Sequence, residues 1–181
     1  MTGNTPAGLS GDGALPAGLS QQGIGIAHGF RPGDLGELIR LHGLQNAMDY
    51  GFDALHEAHC ARIAADFLLA KPRRRSRVWL ALQEQNVVGS VFIVELPGNV
   101  AQLRLLFVHA KLRGQGLGRW MVETAVSYAR AEGYRLVFLW TVQGLERAIG
   151  LYVDAGFRRT LEHPGAPWSD SSTEVRYELT L

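Results

Sequence analysis

Residues 103–118 read LRLLFVHAKLRGQGLG, an apolar run followed by a short basic turn and by glycines at every second position. Beyond the last glycine, apolar side chains recur at the three- and four-residue spacing of one helix face: Met121, Val122, Ala125, Tyr128 and Ala129. Gly133 then stands where a left-handed C-terminal cap is expected. The stretch therefore predicts a strand, a glycine-rich turn and a helix in direct succession.

A turn of this kind is suited to binding a phosphate group. The first turn of a helix leaves backbone N–H groups without intrahelical partners and carries the positive end of the helix dipole. Gly114, Gly116 and Gly118 lack the Cβ atoms that would hold an anion away from those groups. The loop lacks the Gly-Lys-Ser/Thr ending of a P-loop, and Arg119 replaces the last glycine of a G-x-G-x-x-G dinucleotide loop. A tight connection without a ligand is the alternative, which the alternating glycines disfavour.

Residues 113–118 match the pattern Arg/Gln-x-x-Gly-x-Gly/Ala and resemble the pyrophosphate loop of the GNAT superfamily of acetyl-CoA-dependent acyltransferases. Residues 151–157, LYVDAGF, resemble the Leu-Tyr-x-x-x-Gly-Phe ending of the helix beside the cofactor thiol in that superfamily. Residues 42–58 and 139–141 resemble the GNAT half of MarR-type winged-helix/GNAT fusion proteins. Together the resemblance covers about residues 24–181.

Composition limits the compartment and the partners. Lys and Arg number 18 against 17 Asp and Glu, a formal charge of +1 that gives no reason to expect nucleic acid or an anionic membrane as partner. Cys60 is the single cysteine, which excludes an internal disulfide and suits a reducing compartment. No signal peptide or bilayer-spanning run is apparent, so a cytoplasmic location is expected. A homodimer is left open.

The chain is expected to contain one domain, residues 23–181, preceded by a tail. Residues 1–22 are rich in Gly, Ala, Pro and Ser, are poor in charge and contain Pro-Ala-Gly-Leu-Ser twice, at 6–10 and 16–20. This composition predicts a disordered tail whose removal leaves stability and CoA affinity unchanged.

The remaining elements predict a mixed sheet. Strands are predicted over 24–30, 77–82, 87–96, 102–109, 134–141, 157–161 and 174–181, with helices over 34–48, 54–70, 118–132 and 145–152. Short links make the second, third and fourth strands an antiparallel meander, whereas the helix crossover makes the fourth and fifth parallel. The fold class is therefore mixed α/β or α+β. The resemblance implies a GNAT-like, mostly antiparallel sheet with a splayed parallel pair and helices on both faces.

The resemblance also implies acetyl-CoA as co-substrate, with no metal. In the superfamily, pantetheine lies in the gap between the splayed strands and bonds to exposed backbone. The matching positions are Phe107, Val108 and His109 for pantetheine, and Arg113, Gly114, Gln115, Gly116, Leu117 and Gly118 for the pyrophosphate.

Tyr152 falls on the tyrosine of the superfamily's second motif and is the candidate acid for the leaving thiolate. The alternative is a tyrosine that only packs in the core. The base has no clear candidate, because Gln102 and Trp140 stand where family members often carry glutamate. Substitutes are Glu95, Glu57, His42 or a chain of water molecules.

A zinc site is a weaker hypothesis. Residues 56–60, HEAHC, are one residue short of H-E-x-x-H, so the two histidines do not flank a general base on one helix face. An acceptor-facing or solvated helix surface is favoured. The arginine-rich residues 73–77 are likewise expected to be a solvated link.

Two classes of function follow from the resemblance. The first is an N-acetyltransferase that moves acetyl from acetyl-CoA to an amine of a small molecule or a protein by direct attack. The second is a non-catalytic acyl-CoA-binding sensor, which the missing strand glutamate keeps open. The identity of the amine acceptor is not readable from the sequence.

Overall fold

The computed structural model describes residues 12–70 and 74–181. Within them the strands are β1 (Ile24–Ala27), β2 (Arg77–Gln83), β3 (Asn86–Leu96), β4 (Val100–Val108), β5 (Leu136–Val142), β6 (Arg158–Ala166) and β7 (Ser169–Thr180). The helices are α1 (Ala17–Gln21), α2 (Asp34–Tyr50), α3 (Ala54–Leu69), α4 (Leu117–Ala131) and α5 (Glu146–Asp154). A 3-10 turn, Ala110–Leu112, joins β4 to the glycine loop. No helix in the described ranges is long and apolar enough to cross a bilayer.

The seven strands form one sheet in the order β1-β2-β3-β4-β5-β7-β6. Neighbouring strands are antiparallel except β4 and β5, which are parallel. The meander, the parallel crossover and the closing hairpin are therefore confirmed. The second strand of the hairpin, β7, pairs with β5 and leaves β6 at the edge.

The sheet splits between β4 and β5. Their pairing runs only from Val100 opposite Leu136 to Gln102 opposite Phe138. Beyond Gln102, β4 carries a bulge at Leu105, whose φ is 47°, and the Leu105 carbonyl accepts a hydrogen bond from Ser90 Oγ at 2.6 Å. Because a bulge bends its strand, β4 turns away from β5 and opens a gap.

Helices cover the two faces unequally. The larger core packs α4 and α5 against one face of the sheet, around Trp79, Met121 and Leu139. The smaller cores pack α2 and α3 against the other face, on the β1 to β4 half. The expectation of helices on both faces is confirmed. Asp53 caps α3 by accepting a hydrogen bond from Leu55 N–H at 2.9 Å.

Residues 12–22 correct the expectation of a disordered tail. Leu19 of α1 is only 1% exposed and belongs to the main core. Trp79 Nε1 donates to Asp12 Oδ1 at 3.0 Å, and Trp120 Nε1 donates to the Gly13 carbonyl at 2.9 Å. This segment is therefore part of the domain, while residues 1–11, which hold the first repeat, lie outside the described residues.

Element boundaries and faces also need small corrections. The first strand ends at Ala27, three residues earlier than expected. On α3, Leu68 is 44% exposed, whereas His56 is buried. The helix predicted over residues 54–70 ends at Leu69, and the Lys71-Pro72 pair that follows it lies outside the described residues.

Candidate active site

A cleft of about 1200 Å³ passes through the split in the sheet. On the α4 side, Gly116, Gly118 and Leu151 line it, and on the α3 side its walls come from α3, β4 and β7. The cleft is therefore open to ligands from both faces of the sheet. Pockets for a single small ligand are typically about 300–1,000 Å³, so this cleft is large for one such ligand.

The glycine loop has the geometry of an anion site. Gly114 and Gly116 have φ of 75° and 89°, a conformation that side chains rarely adopt. The first backbone bond of α4 joins Trp120 N–H to the Gly116 carbonyl at 2.9 Å. The N–H groups of residues 117–119 consequently have no acceptor within the helix and present a positive helix end.

Gly118 is required by close packing rather than by backbone conformation. A Cβ at this position would lie 2.9 Å from Leu151 Cδ1 of α5 and 3.6 Å from Val108 Cγ2 of β4. The start of α4 therefore sits directly beside α5 and the end of β4. This packing brings the loop, the split and the second motif to one place.

The strand register decides which backbone groups of β4 reach the split. His109 N–H donates to the Val88 carbonyl at 2.9 Å, so the polar groups of His109 face β3. Hydrogen-bonded positions alternate along an antiparallel pair, so Phe107, opposite Ser90, also faces β3. Of the three strand residues predicted to bind pantetheine, only Val108 directs its backbone groups toward the split.

Gln45 of α2 clamps the end of β4. Its side-chain Nε2 donates to the Val108 carbonyl at 2.9 Å, and its Oε1 accepts from Ala110 N–H at 2.7 Å. The Val108 carbonyl thus already has a partner, which leaves the Val108 N–H as the group turned toward the gap. Sequence reasoning missed Gln45, since nothing local to α2 identifies its partner strand.

The other loop residues have distinct surroundings. Arg113 forms an ion pair with Asp49 of α2 and lines the cleft. Gln115 points away from it and donates to the Lys111 carbonyl at 3.0 Å. Leu117 is fully buried in the core. Gln115 and Leu117 can therefore contribute only backbone groups to the loop.

Tyr152 of α5 lines the cleft and is 6% exposed. Its ring packs edge-on against Phe157, with the centroids 6.1 Å apart, and burial raises the pKa of its hydroxyl. No residue in the described ranges forms a hydrogen bond with that hydroxyl. Tyr152 therefore remains a proton donor at neutral pH.

The three side chains considered as substitute bases lie in different environments. Glu95 forms an ion pair with Arg75 and does not line the cleft. Glu57 packs over Gly43, so closely that a Cβ added to Gly43 would collide with the Glu57 carboxylate. His42 lines the cleft against Phe107, with ring centroids 4.7 Å apart, but burial lowers its pKa to about 3 and makes it a weak base.

Glu174 of β7 is a carboxylate in the cleft that sequence reasoning missed. It lies opposite Val142 at the end of β5, and burial raises the pKa of its carboxyl group. Gln102 and Trp140, at the positions where family members often carry glutamate, line the same cleft. Glu174 is therefore the carboxylate best placed to accept a proton there.

Aromatic rings close the α3 side of the cleft. Trp168, between β6 and β7, lies 5.0 Å from His56, 4.9 Å from His59 and 6.1 Å from Phe52, centroid to centroid. Burial lowers the pKa of both histidines to about 4, so both rings are neutral at pH 7. No group of three metal-binding side chains is found in the described part of the chain. The rings form an aromatic wall, in which His56 Nδ1 and Trp168 Nε1 have no hydrogen-bond partner among the described residues.

Comparisons with known proteins agree with this geometry. The Acetyltransferase (GNAT) family profile matches residues 42–157. N-acetyltransferase 8B of Rattus norvegicus is 36% identical over 101 residues, covering 52% of this chain and 46% of the relative. N-acetyltransferase 8 of Homo sapiens is 35% identical over 92 residues, covering 48% and 40%. The matched part thus spans less than half of these relatives.

Solved structures share the fold. An acetyltransferase from Streptococcus agalactiae superposes with a TM-score of 0.69 at 24% identity, covering 88% of this chain and 99% of the other. A ribosomal-protein-alanine N-acetyltransferase from Brucella melitensis superposes with a TM-score of 0.65 at 18% identity, covering 86% of this chain and 99% of the other. None of these matches shows the narrower resemblance to MarR-type fusion proteins. Since the family profile covers more than half of the sequence, the chain belongs to the GNAT family of acetyltransferases.

Proposed function

We propose that the protein is an N-acetyltransferase that uses acetyl-CoA and acts on an amine. The observation that carries this proposal is the cleft through the split sheet, which joins the glycine loop and Tyr152 on one side to Glu174 on the other. The matched relatives are named N-acetyltransferases, which supports nitrogen as the accepting atom.

The residues present fit acetyl-CoA as co-substrate. The unpaired N–H groups at the start of α4 and the loop glycines suit a pyrophosphate. The Val108 N–H, turned into the gap beyond Gln102, suits an amide of a pantetheine arm. Bound acetyl-CoA would supply the thioester carbonyl that an amine attacks.

Two side chains would move the protons of this reaction. An acceptor that arrives as an ammonium ion first releases its extra proton to water. The neutral amine nitrogen then forms a bond to the acetyl carbon and loses one proton, while the carbon–sulfur bond breaks and the sulfur gains one. Glu174 accepts the proton from nitrogen, directly or through water, and its raised pKa makes it a stronger base than an ordinary carboxylate. Tyr152 donates to the sulfur from the other side of the cleft.

The proposal is tested by separating binding from turnover. Acetyl-CoA is titrated into the protein by calorimetry, and free thiol release is then measured over a panel of amines at several pH values. We expect binding, and thiol release that requires both an amine and Glu174. Binding without thiol release from any amine would instead indicate an acyl-CoA sensor, and absence of binding would refute both functions.

A further inference from the structure

Arg104 is a cation in the cleft that forms no direct ion pair with a described residue. Its guanidinium is half-buried, lines the cleft and forms no hydrogen bond or ion pair within the described ranges. Burial lowers its pKa, and the nearby charge of Arg62 lowers it further, with Asp66 and Glu174 acting in the opposite direction. A buried guanidinium is costly unless it is paired, so this side chain is suited to a ligand anion.

Glu174 is the matching anion. Its carboxylate forms no hydrogen bond or ion pair with any described residue, including Arg104, and its neighbour on β6 is the exposed His163. The cleft therefore holds two opposite charges that attract each other without forming a direct ion pair.

The strand register places both charges on the same face of the sheet, across the split. Arg104 is two residues beyond Gln102, the last residue of β4 paired with β5. Glu174 lies opposite Val142, four residues beyond Phe138, the last paired residue of β5. Side chains two or four residues apart on a strand share a face, so Arg104 and Glu174 flank the mouth of the gap.

That face is opposite to the one occupied by the glycine loop. Phe92, the direct partner of Arg104, packs against Phe67 of α3, whereas Val175, next to Glu174, packs in the core formed by α4 and α5. A ligand held by Arg104 and Glu174 therefore reaches the split from the side that acetyl-CoA does not use.

We propose that the acceptor is an α-amino carboxylate, held with its carboxylate on Arg104 and its amine at Glu174. The inference rests on the proposed function and names its substrate class. A free amino acid carries both charges a few ångströms apart, whereas a simple amine leaves Arg104 unpaired and a peptide N-terminus lacks the adjacent carboxylate. The ring wall of Phe52, His56, His59 and Trp168 favours an acceptor with an aromatic side chain, which can pack against these rings.

The test measures binding without turnover. L-phenylalanine, phenethylamine, L-phenylalaninamide and an alanine-initiated tetrapeptide are titrated into the full-length protein saturated with CoA, which carries no acetyl group. We expect phenylalanine to bind about tenfold to a hundredfold more tightly than the other three, because only it can pair with Arg104. Equal binding of phenethylamine, or tighter binding of the tetrapeptide, would refute the proposal.

Two variants separate the two charges. Arg104→Ala should remove the preference for phenylalanine over phenethylamine while leaving CoA affinity unchanged. Glu174→Gln should weaken the binding of phenylalanine and phenethylamine alike. It should not weaken the binding of N-acetyl-L-phenylalanine, which has the carboxylate but no ammonium group. Arg130→Ala, on the exposed side of α4, is the matched control and should not change the affinity for either ligand. A preference for phenylalanine that survives Arg104→Ala would refute the assignment.

The failure of the enzyme proposal is distinguishable from the failure of this one. If phenylalanine binds in an Arg104-dependent manner and no thiol is released from acetyl-CoA, the site is correct and the catalytic function is wrong. If phenethylamine releases thiol as fast as phenylalanine, the protein is an acetyltransferase and the amino acid site is wrong.

Discussion

Truncation of Leu19 is expected to destabilise the whole domain, although Leu19 comes from a stretch with the composition of a tail. The side chain is 1% exposed and packs in the core that also holds Trp79 and Trp120. Buried Leu→Ala substitutions cost about 2–5 kcal/mol, the loss of transfer free energy plus the cavity. At about 2–4 °C per kcal/mol for a chain of this length, Leu19→Ala should lower the melting temperature by about 4–20 °C.

The same segment should affect acetyl-CoA binding through the glycine loop. Gln22 Nε2 donates to Gln115 Oε1 at 2.7 Å, and Pro16 Cγ would lie 3.6 Å from a Cβ on Gly116. The segment therefore packs against the residues that form the anion site. Deleting residues 1–22 should lower acetyl-CoA affinity severalfold in addition to lowering the melting temperature.

The assay is thermal unfolding with circular dichroism, followed by calorimetric titration of acetyl-CoA below the transition. Leu44→Ala is the matched control, because Leu44 lies in α2 with 53% exposure and its loss should change the melting temperature by less than about 2 °C. Hydrogen exchange adds a local measure, since Gln22 N–H donates to the Leu19 carbonyl at 3.1 Å and should exchange slowly. If Leu19→Ala had the same melting temperature as the control and the Gln22 amide exchanged at the random-coil rate, the docking of this segment would be refuted.

Three further outcomes are expected. Gly116→Asp should abolish acetyl-CoA binding in calorimetry, because it places a side chain in a left-handed conformation and a negative charge at the anion site. Arg113→Ala should weaken acetyl-CoA binding only modestly. Parent-like binding by Gly116→Asp would contradict the loop assignment. Tyr152→Phe should lower kcat by about tenfold to a thousandfold while acetyl-CoA affinity stays within a few-fold, and unchanged kcat with a verified acceptor would assign Tyr152 to packing. Burial lowers the pKa of His42 to about 3, so the unfolded chain binds its proton first, and stability due to neutral His42 is complete above pH 6.5 and lost toward acid at about 1.4 kcal/mol per pH unit. Because His56 and His59 contribute in the same direction, His42→Leu should reduce, without abolishing, the slope of denaturant-measured stability between pH 6.5 and 4, and an unchanged slope would contradict this.

The sequence was most informative where local pattern and local structure coincide. The strand, turn and helix around residues 103–118 combine a strong helical repeat with several glycines. Glycine is required in only a few backbone conformations, so its presence is informative. The parallel pairing of β4 and β5 followed from the crossover helix, and it was confirmed by the register from Val100 to Gln102. These features depend on neighbours in the chain, which is why they could be predicted.

Features that depend on distant neighbours were missed. Leu19 is one apolar residue among small and polar ones, and its burial comes from a slot that strands and helices far along the chain create. Glu174 became a site residue because β7, and not β6, pairs with β5 and sets it opposite Val142. Local periodicity predicts the faces of a strand but not which strand lies beside it.

The split sheet has a consequence for how the two ligands can be perturbed. The glycine loop and Tyr152 lie with α4 and α5 on one face, whereas Arg104 and Glu174 point from the other, so the gap between β4 and β5 is where the two binding regions meet. Changes in the loop should therefore alter acetyl-CoA affinity without altering acceptor preference, and changes at Arg104 should do the reverse. A change at the gap itself is different: Gln45 fixes the Val108 carbonyl and the Ala110 N–H, so its loss would shift the strand that both regions share. Gln45→Ala should therefore impair both affinities together, a result that neither a loop variant nor Arg104→Ala should produce.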